Sequence, residues 1–131
     1  MVSWPPKDNI VTCKKITSSK IDSYADFGCG TGIMLEKMGQ EFSITKTVGY
    51  DYSEIARAYC TQKTRHAVYP LNLNVDNHFQ NQFDFITALD VIEHIESESA
   101  AINNISSALI PGGFTLITVP AYQFMWSITM T

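Results

Sequence analysis

The sequence predicts an α/β domain built on a doubly wound, mostly parallel sheet. Short apolar runs alternate with helical stretches through residues 21–120, the pattern of strand–helix–strand units whose helices cover both sheet faces. The first run, "SYADF", leads directly into "GCGTG", a strand-to-helix turn stripped of β-carbons at alternate positions. The second run, "TKTVGYD", ends on an acidic residue. At 131 residues, 45% apolar and 17% charged, the chain has the composition of one folded domain rather than a disordered linker.

Residues 1–20 are polar, with Pro5 and Pro6 early, and read as an arm with a short helix near Ile10–Ile16. After the glycines, Ile33, Leu35 and Met38 recur at helical spacing, with Gly39 as the expected stop. Ser53 is placed to cap the next helix, whose Ile55, Ala56, Tyr59 and Cys60 form one apolar face. "HAVYP" and "DFITALD" are the third and fourth strands. A helical turn follows at Val91–Ile95, then a helix from Glu98 to Leu109 with Ile102, Ile105 and Leu109 inward. Pro111, Gly112 and Gly113 end that helix, and "FTLITVP" is the fifth strand. Residues 21–120 thus form the core, and 121–131 a tail.

Sheets of this kind bind ligands at the carboxyl ends of their strands, near the switch in strand order. The glycine run, Asp51, the Tyr69–Asn74 stretch and the Leu89–His94 stretch all fall at such ends. The glycines allow close ligand approach, and the helix beyond them offers unpaired N–H groups; a plain ligand-free turn is the alternative. The spacing is not the dinucleotide G-x-G-x-x-G, and no G-K-[ST] ending is present. Asp51 closes the second strand, where a carboxylate can accept both hydroxyls of a ribose or bond to local backbone. Together with the glycines it points to an adenosine compound.

At these residues the chain closely resembles the class I methyltransferases that use S-adenosylmethionine. "DFGCGTG", "VGYDYS", "FDFITALDVIEHI" and "LIPGGFTLITVPAY" match that family's motifs in order and spacing, from Tyr24 to Tyr122. The resemblance implies a Rossmann-like core with strand order 3-2-1-4-5 and a site for S-adenosyl-L-methionine, released as S-adenosyl-L-homocysteine. It implies that Asp26 organises the turn under the amino-acid end of the cofactor, with Phe27 and Gly32 flanking Gly28, Cys29 and Gly30, whose backbone passes methionine and ribose. Asp51 takes the ribose hydroxyls and Tyr52 lies against adenine. Asn72, beside Leu73, replaces the usual acidic acceptor for the adenine amino group, with Asp76 as rival. Leu89 and Asp90 face the methionine part, and His94 is the candidate general base.

The expected acceptor is a small molecule. Nine basic against thirteen acidic residues, unclustered, leave no nucleic-acid footprint. No apolar run nears the roughly 20 residues of a membrane span, no secretory leader is evident, and three scattered cysteines fit a reducing, cytoplasmic setting. His66, His78 and His94 lack metal-ligand spacing. Two other readings stand beside this one: a non-catalytic or truncated cofactor-binding protein, and a nicotinamide-dependent oxidoreductase, which the glycine spacing disfavours. The family's usual strands 6 and 7 are expected to be missing, since "AYQFMWSITMT" is too short for a hairpin. That would leave strand five as an open edge, inviting a homodimer through it or a swapped tail.

Overall fold

The computed structural model describes residues 20–119 and the backbone of 122–127; the helix expected near Ile10–Ile16 lies outside them. The elements are β1 (Ser23–Phe27), α1 (Ile33–Glu41), β2 (Lys46–Asp51), α2 (Glu54–Thr64), β3 (Ala67–Pro70), β4 (Phe83–Leu89), a 3-10 turn (Ile92–His94), α3 (Glu98–Ala108), β5 (Leu109–Val119) and β6 (Tyr122–Ser127). They form one sheet in the order β3-β2-β1-β4-β5-β6. The first five strands are mutually parallel, and β6 runs antiparallel to β5.

Strand alternation sorts the core into two layers. Ala25 and Phe27 of β1, with Ile86 and Ala88 of β4, pack against Ala101, Ile105 and Ala108 of α3. Tyr24 of β1 and Phe85 of β4 point the other way, onto Leu35 and Met38 of α1 and Cys60 of α2. The period of two sends successive side chains to opposite faces, so both faces of a central strand are apolar and both must be covered. Each fully buried Phe, Leu or Ile is worth about 1.5–3 kcal/mol over exposure.

Four sequence expectations change. Gly39 does not stop α1, which continues to Glu41; an exposed glycine is tolerated inside a helix at about 1 kcal/mol relative to alanine. Ile33, Ile55, Tyr59 and Ile102 are exposed rather than inward. On α1 the inward stripe is Met34, Leu35 and Met38, and on α3 it is Ala101, Asn104, Ile105 and Ala108. On α1 the inward residues are large, and on α3 the small Ala101 and Ala108 lie beside Ile105; periodicity fixes the spacing of a stripe but not which stripe meets the sheet. Strand five begins at Leu109, through the Pro-Gly-Gly segment, where Gly112 adopts φ 81° and the register against β4 shifts between Phe83 and Phe85. Finally, the tail contributes a strand. Phe114–Val119 pairs with Tyr122–Ser127, so the β5 edge expected to lie open is closed by the chain itself, and among the described residues the outer strand on that side is β6.

Candidate functional site

The glycine turn is shaped by what surrounds it. Gly28 has φ 87° and Gly32 φ 85°, a region L-residues rarely enter. A β-carbon on Gly28 would meet Val91 Cγ2 at 2.4 Å, and one on Gly32 would meet Thr64 Cγ2 at 2.5 Å and Cys60 Sγ at 2.8 Å. Both positions therefore exclude side chains sterically as well as conformationally. The Gly28 and Cys29 N–H groups both donate to the Tyr50 carbonyl, at 2.7 and 2.9 Å, binding the turn to β2.

Asp51 ends β2 with each carboxylate oxygen accepting one backbone bond: Oδ2 from Gly30 N–H and Oδ1 from Ser53 N–H, both at 2.9 Å. The local-backbone role considered for this residue is thus real, and it spans two elements. An ionised carboxylate offers about four acceptor sites, so two bonds leave capacity for the two hydroxyls of a ribose. Ser53 caps α2 as expected, accepting from Ala56 N–H at 3.2 Å. Arg57 donates to the carbonyls of Asp51 and Tyr52 at 3.1 and 3.0 Å.

Beneath the turn, Asp26 is 2% exposed and accepts from Thr87 Oγ1 at 2.8 Å; Thr87 Oγ1 in turn bonds the Tyr24 hydroxyl. Burial pushes the Asp26 carboxyl up to about 7, opposed by the Thr87 bond and reinforced by the charge of Asp51. Cys29 is buried and its thiol is raised, first by burial and then by the neighbouring Cys60. It is an inert packing thiol and not a nucleophile.

Facing the turn is a cavity of about 510 Å³ at the strand ends. Eight predicted residues line it: Gly28, Asp51, Tyr52, Asn72, Leu73, Leu89, Asp90 and His94. Asp26, Phe27, Cys29, Gly30 and Gly32 do not line it. Phe27 is fully buried on the α3 face, in ring contact with Tyr50 and Phe79, while the others build the turn from behind. Asn72 Oδ1 accepts from Asn74 N–H at 3.0 Å. The rival Asp76 does not line the cavity, and its Oδ1 accepts from His78 N–H at 2.8 Å.

On the opposite wall Asp90 has φ 55°, a conformation Asp tolerates better than most residues. Its N–H donates to Thr118 O and Oγ1, both at 2.9 Å, and its Oδ1 accepts from Thr118 Oγ1 at 3.2 Å. His94 stands at the rim, its side chain 77% exposed and its Nε2 3.4 Å from Glu93 Oε1. Leu71, Asn74 and Val91, from the two stretches placed at strand ends, also line the cavity without having been given individual roles, as does Ile95. Thr87 and Thr118 were missed too; a single threonine in an apolar strand carries no signal until its neighbour across the sheet is known.

A family model for the methyltransferase domain matches residues 11–129 of this chain. The chain belongs to the methyltransferase-domain family. Its fold is the class I, Rossmann-like core of S-adenosylmethionine-dependent methyltransferases, with strand order 3-2-1-4-5. Among curated proteins, this methyltransferase domain is 29% identical over 115 residues to the mitochondrial ubiquinone biosynthesis O-methyltransferase of Dictyostelium discoideum, covering 76% of the chain and 36% of that protein. It is 27% identical over 93 residues to the ubiquinone biosynthesis O-methyltransferase of Yersinia pestis, covering 67% of the chain and 38% of that protein. The domain thus spans little more than a third of the length of these relatives. Among solved structures, S-adenosylmethionine-bound CalS10, an amino pentose methyltransferase from Micromonospora echinaspora, superposes with TM-score 0.73 at 19% identity, over 84% of this chain and 48% of that one. The cyclase SpnF superposes with TM-score 0.74 at 20% identity, over 84% and 43%. One fold carries both names, so the chemistry has to be argued from the site.

Proposed function

We propose that this methyltransferase domain binds S-adenosylmethionine in the strand-end cavity and serves methyl transfer to a hydroxyl of a small-molecule acceptor. The observation that carries the reading is Asp51, a carboxylate held by Gly30 N–H and Ser53 N–H on the cavity wall with acceptor capacity to spare. A ribose diol needs such an acceptor for its two hydroxyls. Tyr52 and the Leu71–Asn74 loop supply the apolar and hydrogen-bonding surface for a base. Two relatives are named as O-methyltransferases, which favours an oxygen acceptor.

When bound, the cofactor supplies an electrophilic methyl group on a sulfonium. The chain's part is alignment and exclusion of water. With the cofactor bound, Asp51 would hold the ribose end, Asp90 and Leu89 would border the reacting end, and His94 at the rim would take the proton of the acceptor hydroxyl. A titration of the folded chain with S-adenosylmethionine, S-adenosylhomocysteine and NAD tests this reading. Binding of the two sulfur compounds but not NAD, weakened about 100-fold in Asp51→Ala, is the expected result. NAD binding, or sulfur-compound binding unchanged in Asp51→Ala, refutes it.

A further inference from the structure

Asn104 is a polar residue in the inward stripe of α3, 2% exposed among apolar neighbours, and nothing in the proposed chemistry uses it. Burying an amide is costly unless every donor and acceptor is met. Here each is met, chiefly by the loop after β3. Asn104 Nδ2 donates to Val75 O at 2.8 Å and Leu73 O at 3.4 Å, and back to Ala100 O at 3.0 Å within its own helix. Its Oδ1 accepts from Asn77 N–H at 3.0 Å and Asn77 Nδ2 at 3.1 Å. The amide cannot be reversed, because its partners on one side are backbone carbonyls and on the other a backbone N–H.

Asn77 extends the grip toward the cavity. Its Nδ2 also donates to Asn72 O at 2.8 Å and Val75 O at 2.9 Å. Further along, Asn74 Oδ1 accepts from Ser97 N–H at 3.1 Å, and Ser97 is the N-cap of α3. The cavity-lining loop is therefore fastened to α3 at two levels, by side-chain amides rather than by strand pairing.

From this network we infer that Asn104 and Asn77 are positioning residues for cofactor recognition: they hold Asn72 and Leu73 at the cavity wall in the register that reads the adenine edge. The inference rests on the cofactor reading above. A loop without sheet partners would otherwise sample many conformations, and ordering it on binding would weaken affinity and blur base discrimination. With the amides in place the loop is ordered before any ligand arrives.

The test compares S-adenosylhomocysteine with its inosine analogue, in which the adenine amino group is replaced by an oxygen. Dissociation constants for both are measured by calorimetry on the wild type, Asn104→Leu, Asn77→Ala and the control Ile105→Val, which loosens the same helix face without touching an amide. Asn77 is only half-buried, so Asn77→Ala keeps the test open if Asn104→Leu does not fold. The expected result is at least about a tenfold loss of S-adenosylhomocysteine affinity in the Asn variants and a matching fall in the preference over the inosine analogue, with the control unchanged. Asn77→Ala retaining wild-type affinity and preference, or losing no more than the control, overturns the inference. A wild type that binds no S-adenosylhomocysteine overturns the cofactor reading itself, and the inference with it.

Discussion

The turn after β1 and the turn after β4 meet at one cavity and are held by opposite means. The first, Gly28–Gly32, is gripped from below: its N–H groups bond to Tyr50 O and Asp51, and its glycines pack against Val91 and α2. The second, Asp90–Ile95, is held from the side by Thr118, and it leaves His94 exposed at the rim. Under the proposed function the gripped turn serves the cofactor shared by the family, and the exposed rim is the side by which an acceptor enters and leaves. Val91 is where the two turns touch, and the space it occupies is the space Gly28 vacates.

The two turns should separate most visibly in His94→Ala. Methyl transfer is expected to fall by about 100- to 10,000-fold, while cofactor affinity stays within about twofold because the gripped turn is untouched; rate and binding measured on one preparation separate the two. Gly28→Ala should do the reverse and disturb everything. The Val91 contact and the positive φ together cost about 2–5 kcal/mol, read as a lower urea midpoint and loss of cofactor binding. For Asp51→Ala the loss of charged hydrogen bonds to two hydroxyls amounts to about 3 kcal/mol, or roughly 100-fold in affinity. Asp51→Asn should fall between it and the wild type in the same titration.

Asp26 sharpens the account of the gripped turn through pH. Its carboxyl rises from 3.8 to about 7 on folding, so the native state holds a proton that the unfolded chain releases. Stability from this group is therefore full below about pH 4 and lost as pH climbs through 7. Urea unfolding across that range should show the decline in the wild type and a flatter profile in Asp26→Asn, which keeps an acceptor for Thr87 without a charge to bury. The smallest effect belongs to Ile55→Ser. At 84% exposure it should move stability by no more than about 0.5 kcal/mol, although its place in the helical pattern suggests a core residue.

Much of the fold and part of the site are legible in the chain. The β1 turn, Asp51 and the β4 end could be read because each combines a residue type with a strand boundary, and boundaries show in apolar runs. Helix faces were less legible. Ile55, Tyr59 and Ile102 satisfy the helical period yet point to solvent, since periodicity gives a stripe but not which neighbouring stripe meets the sheet. The Asn104–Asn77 network was not legible at all, because an asparagine in a helix looks like a surface residue until its partners 27 to 31 positions away are known.

Local chemistry was written in the sequence: the strand–helix alternation, the glycines that admit positive φ, the serine cap of α2 and the acidic end of β2 depend on residues within a few positions of one another. Tertiary structure alone decided three things. It brought Val91 against Gly28, it buried Asp26 beneath Thr87, and it laid the tail along β5 as β6. Each depends on which distant segment arrives alongside, and that is settled by the joint packing of two apolar faces of one sheet rather than by any stretch of residues considered separately.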